Sequence, residues 1–194
     1  MSNRTTQDDE RENMQINIFG LTALQGRSNK YTPDAIALVR GQQCLIELKT
    51  CDLKRKSVST ARGVTPEKIN EWEKVWWIFS LYKKEENGEV SLVEHYLGDK
   101  NMLGGWFDKQ RTRIQRGSKT YAGLGVWEEA HAILQETMNQ KDLAKLNYSF
   151  RKKGLSLNDP KIPWSYIQNN CIKLDGDNPI VSLEASLSDL LKTI

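Results

Sequence analysis

Two short strings in this sequence hold residues that can do chemistry together. The first is Pro33-Asp34, and the second, twelve residues further on, is Glu47-Leu48-Lys49. Each lies in or beside an apolar run, Ala35 to Val39 and Cys44 to Thr50, with Arg40-Gly41-Gln42-Gln43 between them as a tight turn. The two runs are expected to form a β-hairpin. Side chains on a strand alternate between faces, so Glu47 and Lys49 share a face, as do Asp34, Ile36 and Leu38. Two registers are open. A turn centred on Gly41-Gln42 pairs Asp34 with Lys49, and one centred on Arg40-Gly41 pairs Asp34 with Glu47. Both gather Asp34, Glu47 and Lys49 on one face near the open end, where direct partners stand about 5 Å apart.

Charged residues are rarely buried without partners, and two neighbouring acids inside a sheet are costly without a cation. On a solvated face, Lys49 bridging one acid would suffice. The flanking Ile36, Leu38, Ile46 and Leu48 instead suggest a sheet interior, where a hard divalent cation resolves the conflict. Magnesium takes oxygen ligands, usually one or two carboxylates with phosphate and water. Asp34 and Glu47 would hold it, one or two ions per site, with the backbone carbonyl of Leu48 as a further ligand. Such an ion lowers the pKa of a bound water and neutralises phosphate charge. Lys49 would position or help deprotonate that water and stabilise charge developing on phosphorus. The expected reaction is phosphodiester hydrolysis.

Several elements must position these residues. Residues 7–25 read as a helix, with Met14, Ile18 and Leu21 at i, i+4 and i+7 and acids Asp8, Asp9 and Glu10 in the first turn. A basic, Ser-containing loop spans 51–64. Thr65-Pro66-Glu67 opens a helix, with Thr65 as N-cap. Residues 75–82 are aromatic and β-leaning, Asn87-Gly88 signals a hairpin, and Val90 to Leu97 forms the partner strand. Helices are expected at 101–116 and 126–139. Pro160, Pro163 and Pro179 break up the remainder, and a last helix runs from Leu183 to Leu191. The order predicts an α/β fold: a mixed central sheet flanked by helices, then a mostly helical C-terminal elaboration. Trp72, Trp76 and Trp77 are expected in the core rather than as base-stacking surfaces.

Pro33-Asp34 followed by Glu47-Leu48-Lys49, in a hairpin with a helix after it, resembles the PD-(D/E)xK nucleases, which include many type II restriction endonucleases. The resemblance covers roughly residues 8–97 and implies a restriction-endonuclease-like core of order α-β-β-β-α-β. It makes Asp34, Glu47 and Lys49 catalytic, with Asp34, Glu47 and the Leu48 carbonyl as metal ligands. A first core strand before Pro33 is not evident; it is either short, within Asn29 to Thr32, or absent. Some family members add an acid from the N-terminal helix. Glu10, one turn before Met14, is the candidate here, although a first-turn acid also simply complements the helix dipole; Glu12 is expected to point elsewhere.

DNA contacts are expected from basic segments. Lys54, Arg55, Lys56 and Arg62, with the hydroxyls of Ser57, Ser59 and Thr60, follow directly from the active-site strand and suit phosphates beside the scissile bond. Lys109, Arg111, Arg113, Arg116 and Lys119 form a second basic segment, able to take phosphates or guanine edges unless it is only a solvated helix face. Lys30, just before the motif, and Arg151-Lys152-Lys153 are weaker candidates.

Composition bounds the rest. The 194 residues suit one domain, with a catalytic core at about 8–97 and residues 98–194 serving DNA recognition or dimerisation. No apolar run is long enough to span a membrane, and the polar stretch Met1 to Glu12 is not a secretory signal. Cys44, Cys51 and Cys171 are expected as reduced thiols in the cytoplasm, since neither His95 nor His131 lies near a cysteine in sequence. A net charge of +3 does not by itself demand nucleic acid. The expected function is a magnesium-dependent, sequence-specific endonuclease of double-stranded DNA, acting as a homodimer on palindromic sites. The alternatives are a junction resolvase or repair nuclease with the same chemistry, and a non-catalytic DNA-binding or scaffold protein.

Overall fold

The turn residues Arg40 and Gly41 both have positive φ, 51° and 79°. That is the form of two-residue turn whose twist matches its strands. In the computed structural model, which describes residues 7–24, 32–122, 139–140 and 156–192, this turn joins β2 (Ala35–Val39) to β3 (Gln42–Asp52). Val39 pairs with Gln42 and Ala35 with Ile46, and Asp34 N donates to Ile46 O at 2.9 Å. The turn is therefore Arg40-Gly41, and Asp34 stands next to Glu47.

The chain is α/β, with a mixed six-stranded sheet. Besides β2 and β3 it contains β1 (Thr22–Ala23), β5 (Trp76–Lys84), β6 (Val90–Gly98) and β8 (Ile172–Leu174), in the order β1-β2-β3-β5-β6-β8. The β3–β5 pairing is parallel and the other four are antiparallel. A parallel neighbour needs a crossover, and the segment from Leu53 to Val75, containing α2 (Pro66–Trp72), supplies it. Every residue from Trp76 to Leu81 is buried, as expected of a central strand covered on both faces.

Alternation sorts the side chains. On one face Ile46, Leu48, Ile78 and Leu97 form a cluster with Phe19, at the end of α1 (Gln7–Ile18), and with Leu183 and Leu187 of α5 (Pro179–Leu191). On the other face lie Glu47 and Lys49, paired in register with Trp77 and Phe79. Trp77 stacks on Phe79 at 5.6 Å and meets the edge of Trp72 at 5.2 Å. Trp72, Trp76 and Trp77 are all buried.

Several boundaries differ from the sequence expectation. Helix α1 stops at Ile18 instead of continuing to residue 25, because Gly20 turns the chain with φ +61°. Thr22–Ala23 is then free to pair with β2, so a short strand lies within the expected helix; Asn29 to Tyr31, where a first strand was expected if present, lie outside the described residues. The expected loop 51–64 contains β4 (Ser57–Val58), which pairs with β7 (Ile162–Pro163) in a small second sheet. The third helix, α3, runs Gly104–Ala122. Among the described residues after 98, helices predominate, α3 with α4 (Trp164–Asn170) and α5, but this region also supplies β7 and β8, the latter an edge strand of the main sheet. Pro179 opens α5 four residues before Leu183, at a position where its missing N–H is not needed. The expected helix at 126–139 lies outside the described residues except for Asn139.

Two compact units emerge. One comprises Met1–Thr60, Glu71–Gly104 and Lys161–Ile194; the other comprises Ala61–Asn70 and Gly105–Pro160. The first contains both sheets and draws on both sides of residue 98. In the second, Val64 and Leu157 bridge through reciprocal 2.8 Å hydrogen bonds, and Trp106 packs edge-on against Phe107. Among the described residues no helix is long and apolar enough to cross a membrane.

A Cβ added to Gly41 would meet nothing within 4 Å, so a substitution there bears only the cost of positive φ. Gly41→Ala should lower the free energy of unfolding by about 1–2 kcal/mol, measured by urea denaturation. An unchanged midpoint would mean that the turn does not hold the register.

Candidate active site

The end of the hairpin brings three oxygens around one nitrogen. Lys49 Nζ lies 2.7 Å from Glu47 Oε1, 2.9 Å from Leu48 O and 3.5 Å from Asp34 Oδ2. Leu48 joins the site by both poles of its backbone, since its N–H also donates to Asp34 Oδ2 at 2.8 Å. The first two contacts follow from strand geometry: residues 47 and 49 point the same way. The third follows from the turn, which sets Asp34 beside Glu47. Glu47 is only 6% exposed. Burial alone would lower the Lys49 pKa, but the charges of Glu47 and Asp34, the hydrogen bond to Glu47 and the more distant Glu12 outweigh it and raise the value. Lys49 is thus an ammonium, 5.9 Å from the Trp77 ring.

Asp34, Leu48 and Lys49 of this cluster line a cavity of about 230 Å³ together with Glu12, Gln15, Thr50, Ser59 and Thr60. The acid contributed by α1 is Glu12; Glu10 is exposed and does not line the cavity. The apolar residues Met14, Ile18 and Leu21 had suggested the opposite assignment. The most deeply buried side chains here are instead Gln15 of α1 and Phe19, the residue after the helix, four positions apart. A polar residue on the inward face is invisible to an apolar count. The readable signal was the spacing of Glu12, Gln15 and Phe19, an i, i+3, i+7 stripe.

Gln15 was not anticipated. Its Nε2 lies 2.8 Å from Ser80 Oγ, 3.2 Å from Ile78 O and 3.3 Å from Lys49 O. Ser80 Oγ also shares a 2.9 Å hydrogen bond with His95 Nδ1. Burial pushes the His95 pKa down, against the opposing charge of Glu94. Arg11 Nε donates to Thr50 Oγ1 at 3.2 Å, with its guanidinium 4.6 Å above the Tyr82 ring.

The expected DNA-contacting residues divide. Lys54, Arg55 and Lys56 are exposed in the connection from β3 to β4, and Ser57 lies in β4. Lys54 lines a separate groove with Lys83 and Lys84, whereas of the expected hydroxyls those of Ser59 and Thr60 line the cavity, together with Thr50. Lys161 Nζ donates to Ser59 Oγ. In the second unit Arg62, Lys109 and Arg113 are exposed. Arg111 donates to Asp108 and to Asn70, and Arg113 to Gln110. Arg116 and Lys119 lie on α3. Lys30 and Arg151-Lys152-Lys153 fall outside the described residues.

Among the described residues no three His, Cys, Asp or Glu side chains are grouped to hold a metal ion. The donor set here is mixed: two carboxylates and a carbonyl. It suits a magnesium ion, which needs only one or two carboxylates, and these three oxygens already surround a cationic nitrogen.

Removing one partner of a buried ion pair leaves the other uncompensated. Lys49→Met should destabilise the metal-free protein by about 3 kcal/mol, and adding Glu47→Gln should restore more than half of that loss. Because the folded Lys49 pKa is raised, this contribution is complete below the unfolded value of 10.5 and fades only as pH rises above it. Urea titrations at neutral and alkaline pH read both effects; equal losses in the single and double variants would rule out the pairing. No protein-family model matches the chain, and no curated protein matches it.

Proposed function

We propose that the protein is a magnesium-dependent endonuclease that cuts double-stranded DNA at specific sequences. In this reading it works in the cytoplasm as a homodimer, with two sites related by a two-fold axis facing the two strands of a palindrome. The observation that carries the proposal is the convergence of Asp34 Oδ2, Glu47 Oε1 and Leu48 O on one cationic nitrogen at a cavity wall. The element order supports it: α1, β1, β2, β3, α2 and β5 follow the α-β-β-β-α-β order of a restriction-endonuclease-like core, with the short β4 inserted.

Asp34, Glu47 and the Leu48 carbonyl would hold magnesium, which when bound supplies an activated water and neutralises charge on the phosphate. The remaining work belongs to the chain. A divalent ion on these oxygens would compete with the Lys49 ammonium for their charge, and Lys49 would then be free to turn toward the cavity. There it donates to the attacking water or to a phosphate oxygen and balances the charge that develops. Ser59 and Thr60 offer hydroxyl donors to a phosphate across the cavity, and the exposed Lys54, Arg55 and Lys56 extend the basic path beyond it.

Incubation with unmethylated plasmid and magnesium, with EDTA as control, should give discrete fragments. Random nicks or a smear would favour a junction resolvase or repair nuclease; binding without cleavage would favour a non-catalytic DNA-binding protein. Lys49→Ala should reduce cleavage by about 10²–10³-fold with DNA binding retained, and normal cutting by that variant would refute the mechanism.

A second test needs no turnover. Terbium, an oxygen-seeking cation, should bind beside Trp77 and luminesce when tryptophan is excited. Lys49→Ala should bind it more tightly than the unaltered protein, since a competing cation has been removed, while Glu47→Gln should bind it more weakly. Unchanged affinity in Lys49→Ala would show that the ammonium and the metal do not share a site.

A further inference from the structure

The chain of side chains beneath the cavity joins α1 to three strands. Gln15 is 1% exposed, Ser80 0% and His95 3%. Each comes from a different element, α1, β5 and β6, and the Gln15 amide also reaches the backbone of β3 at Lys49 O. The shortest of its contacts is to Ser80 Oγ, at 2.8 Å. The Ser80 hydroxyl, which accepts from Gln15, also shares a hydrogen bond with His95 Nδ1, 2.9 Å away, its direction set by the imidazole tautomer. The His95 ring then packs edge-on against Phe19, with centroids 5.0 Å apart, which closes the circuit on the residue that follows α1.

Packing alone does not require this arrangement. An apolar side chain at position 15 would fill the space and accept many neighbouring positions of the helix. A buried amide is favourable only where its partners lie within hydrogen-bond reach, so it fixes both the rotation of α1 and its height on the sheet. Two features of the candidate site depend on those two quantities. Glu12 lies three residues before Gln15 on the same helical face and lines the cavity beside it. Lys49 O, which Gln15 contacts at 3.3 Å, follows Leu48 O by one residue along β3.

We propose that Gln15 is a positioning residue of the metal site, which through Lys49 O and Ser80 holds the Glu12 carboxylate at the cavity wall beside Asp34 and Lys49. The proposal rests on the nuclease reading given above. Gln15 touches neither substrate nor metal in this role; it acts through Glu12. Partners of this kind, one step removed from a metal, typically change its affinity 10–100-fold when lost.

The test is a double-mutant cycle in terbium affinity, read by tryptophan-sensitised luminescence on the full chain. Gln15→Leu should weaken terbium binding about tenfold or more. In a Glu12→Gln background the same substitution should have little further effect, because its route of action has been removed. Equal loss with and without Glu12, or unchanged affinity in Gln15→Leu, overturns the proposal. If Gln15→Leu does not fold, Ser80→Ala removes the closest partner of the amide while leaving Gln15 in place, and its terbium affinity should fall in a Glu12-dependent way. A result in which the unaltered protein and Glu47→Gln bind terbium alike would remove the metal site itself, and the role of Gln15 with it. Glu47-dependent binding that ignores Gln15 and Ser80 would overturn only the inference.

Discussion

The contact between the Lys49 ammonium and the oxygens of Glu47, Leu48 and Asp34 is the constraint on which the middle of this fold depends. A carboxylate buried as deeply as Glu47 is tolerated only with a compensating charge, and that charge sits two residues away on the same strand face. The arrangement needs β3 to be extended and its neighbours to be in one register. A slip of β3 by one residue would move Glu47 and Lys49 to the opposite face, against Ile78 and Leu97, and put the apolar Ile46 and Leu48 in their present places. Electrostatics and the hydrophobic pattern therefore select the same pairing.

Such a pair is a poor way to gain stability. Desolvating two ions offsets much of their attraction, and apolar replacements of similar volume are often neutral or stabilising. The hydrophobic stacking of Trp72, Trp77 and Phe79 on the same face shows what this sequence does where only packing is at stake. The Asp34, Glu47 and Lys49 set departs from that economy in the same place where a cavity opens, lined also by the hydroxyl-bearing Thr50, Ser59 and Thr60. A pair that fixes register but adds little net stability, placed where a cavity opens, is compatible with oxygens arranged for a cation, as the proposed nuclease reading requires.

The site was legible in the sequence to the extent that strand geometry is local. Alternation fixed the shared face of Glu47 and Lys49 without any knowledge of the fold, and the turn residues reduced the position of Asp34 to two registers. Choosing between them required the φ values of Arg40 and Gly41, since Gly41 serves either turn. The helix contribution was harder. Its inward face is marked by Gln15, whose burial depends on Ser80 and His95, 65 and 80 positions away in the chain. Nothing near Gln15 announces those partners, and the exposed Glu10 drew attention because it aligned with the apolar Met14. The strands Thr22–Ala23, Ser57–Val58 and Ile172–Leu174 are two or three residues long. Segments that short carry no period of their own and exist because a neighbouring edge offers them hydrogen bonds.

The same distinction bears on how the metal reading and the helix are connected. Glu47, Lys49 and Leu48 are held by one strand, so their mutual geometry is nearly independent of the rest of the chain. Glu12 has no such local guarantee. Its place at the cavity depends on α1 docking at one rotation, and a short helix that ends at a glycine has few other means of fixing that angle. The apolar contacts of Phe19 and Leu21 with the sheet hold the end of the helix down, but contacts of that kind are non-directional. Direction comes from the Gln15 amide, whose partners are backbone and side-chain atoms of the strands that form the site. The buried ion pair and the buried polar chain thus perform complementary tasks: the first gathers the site's oxygens along a strand, and the second brings a second element up to them at a fixed angle.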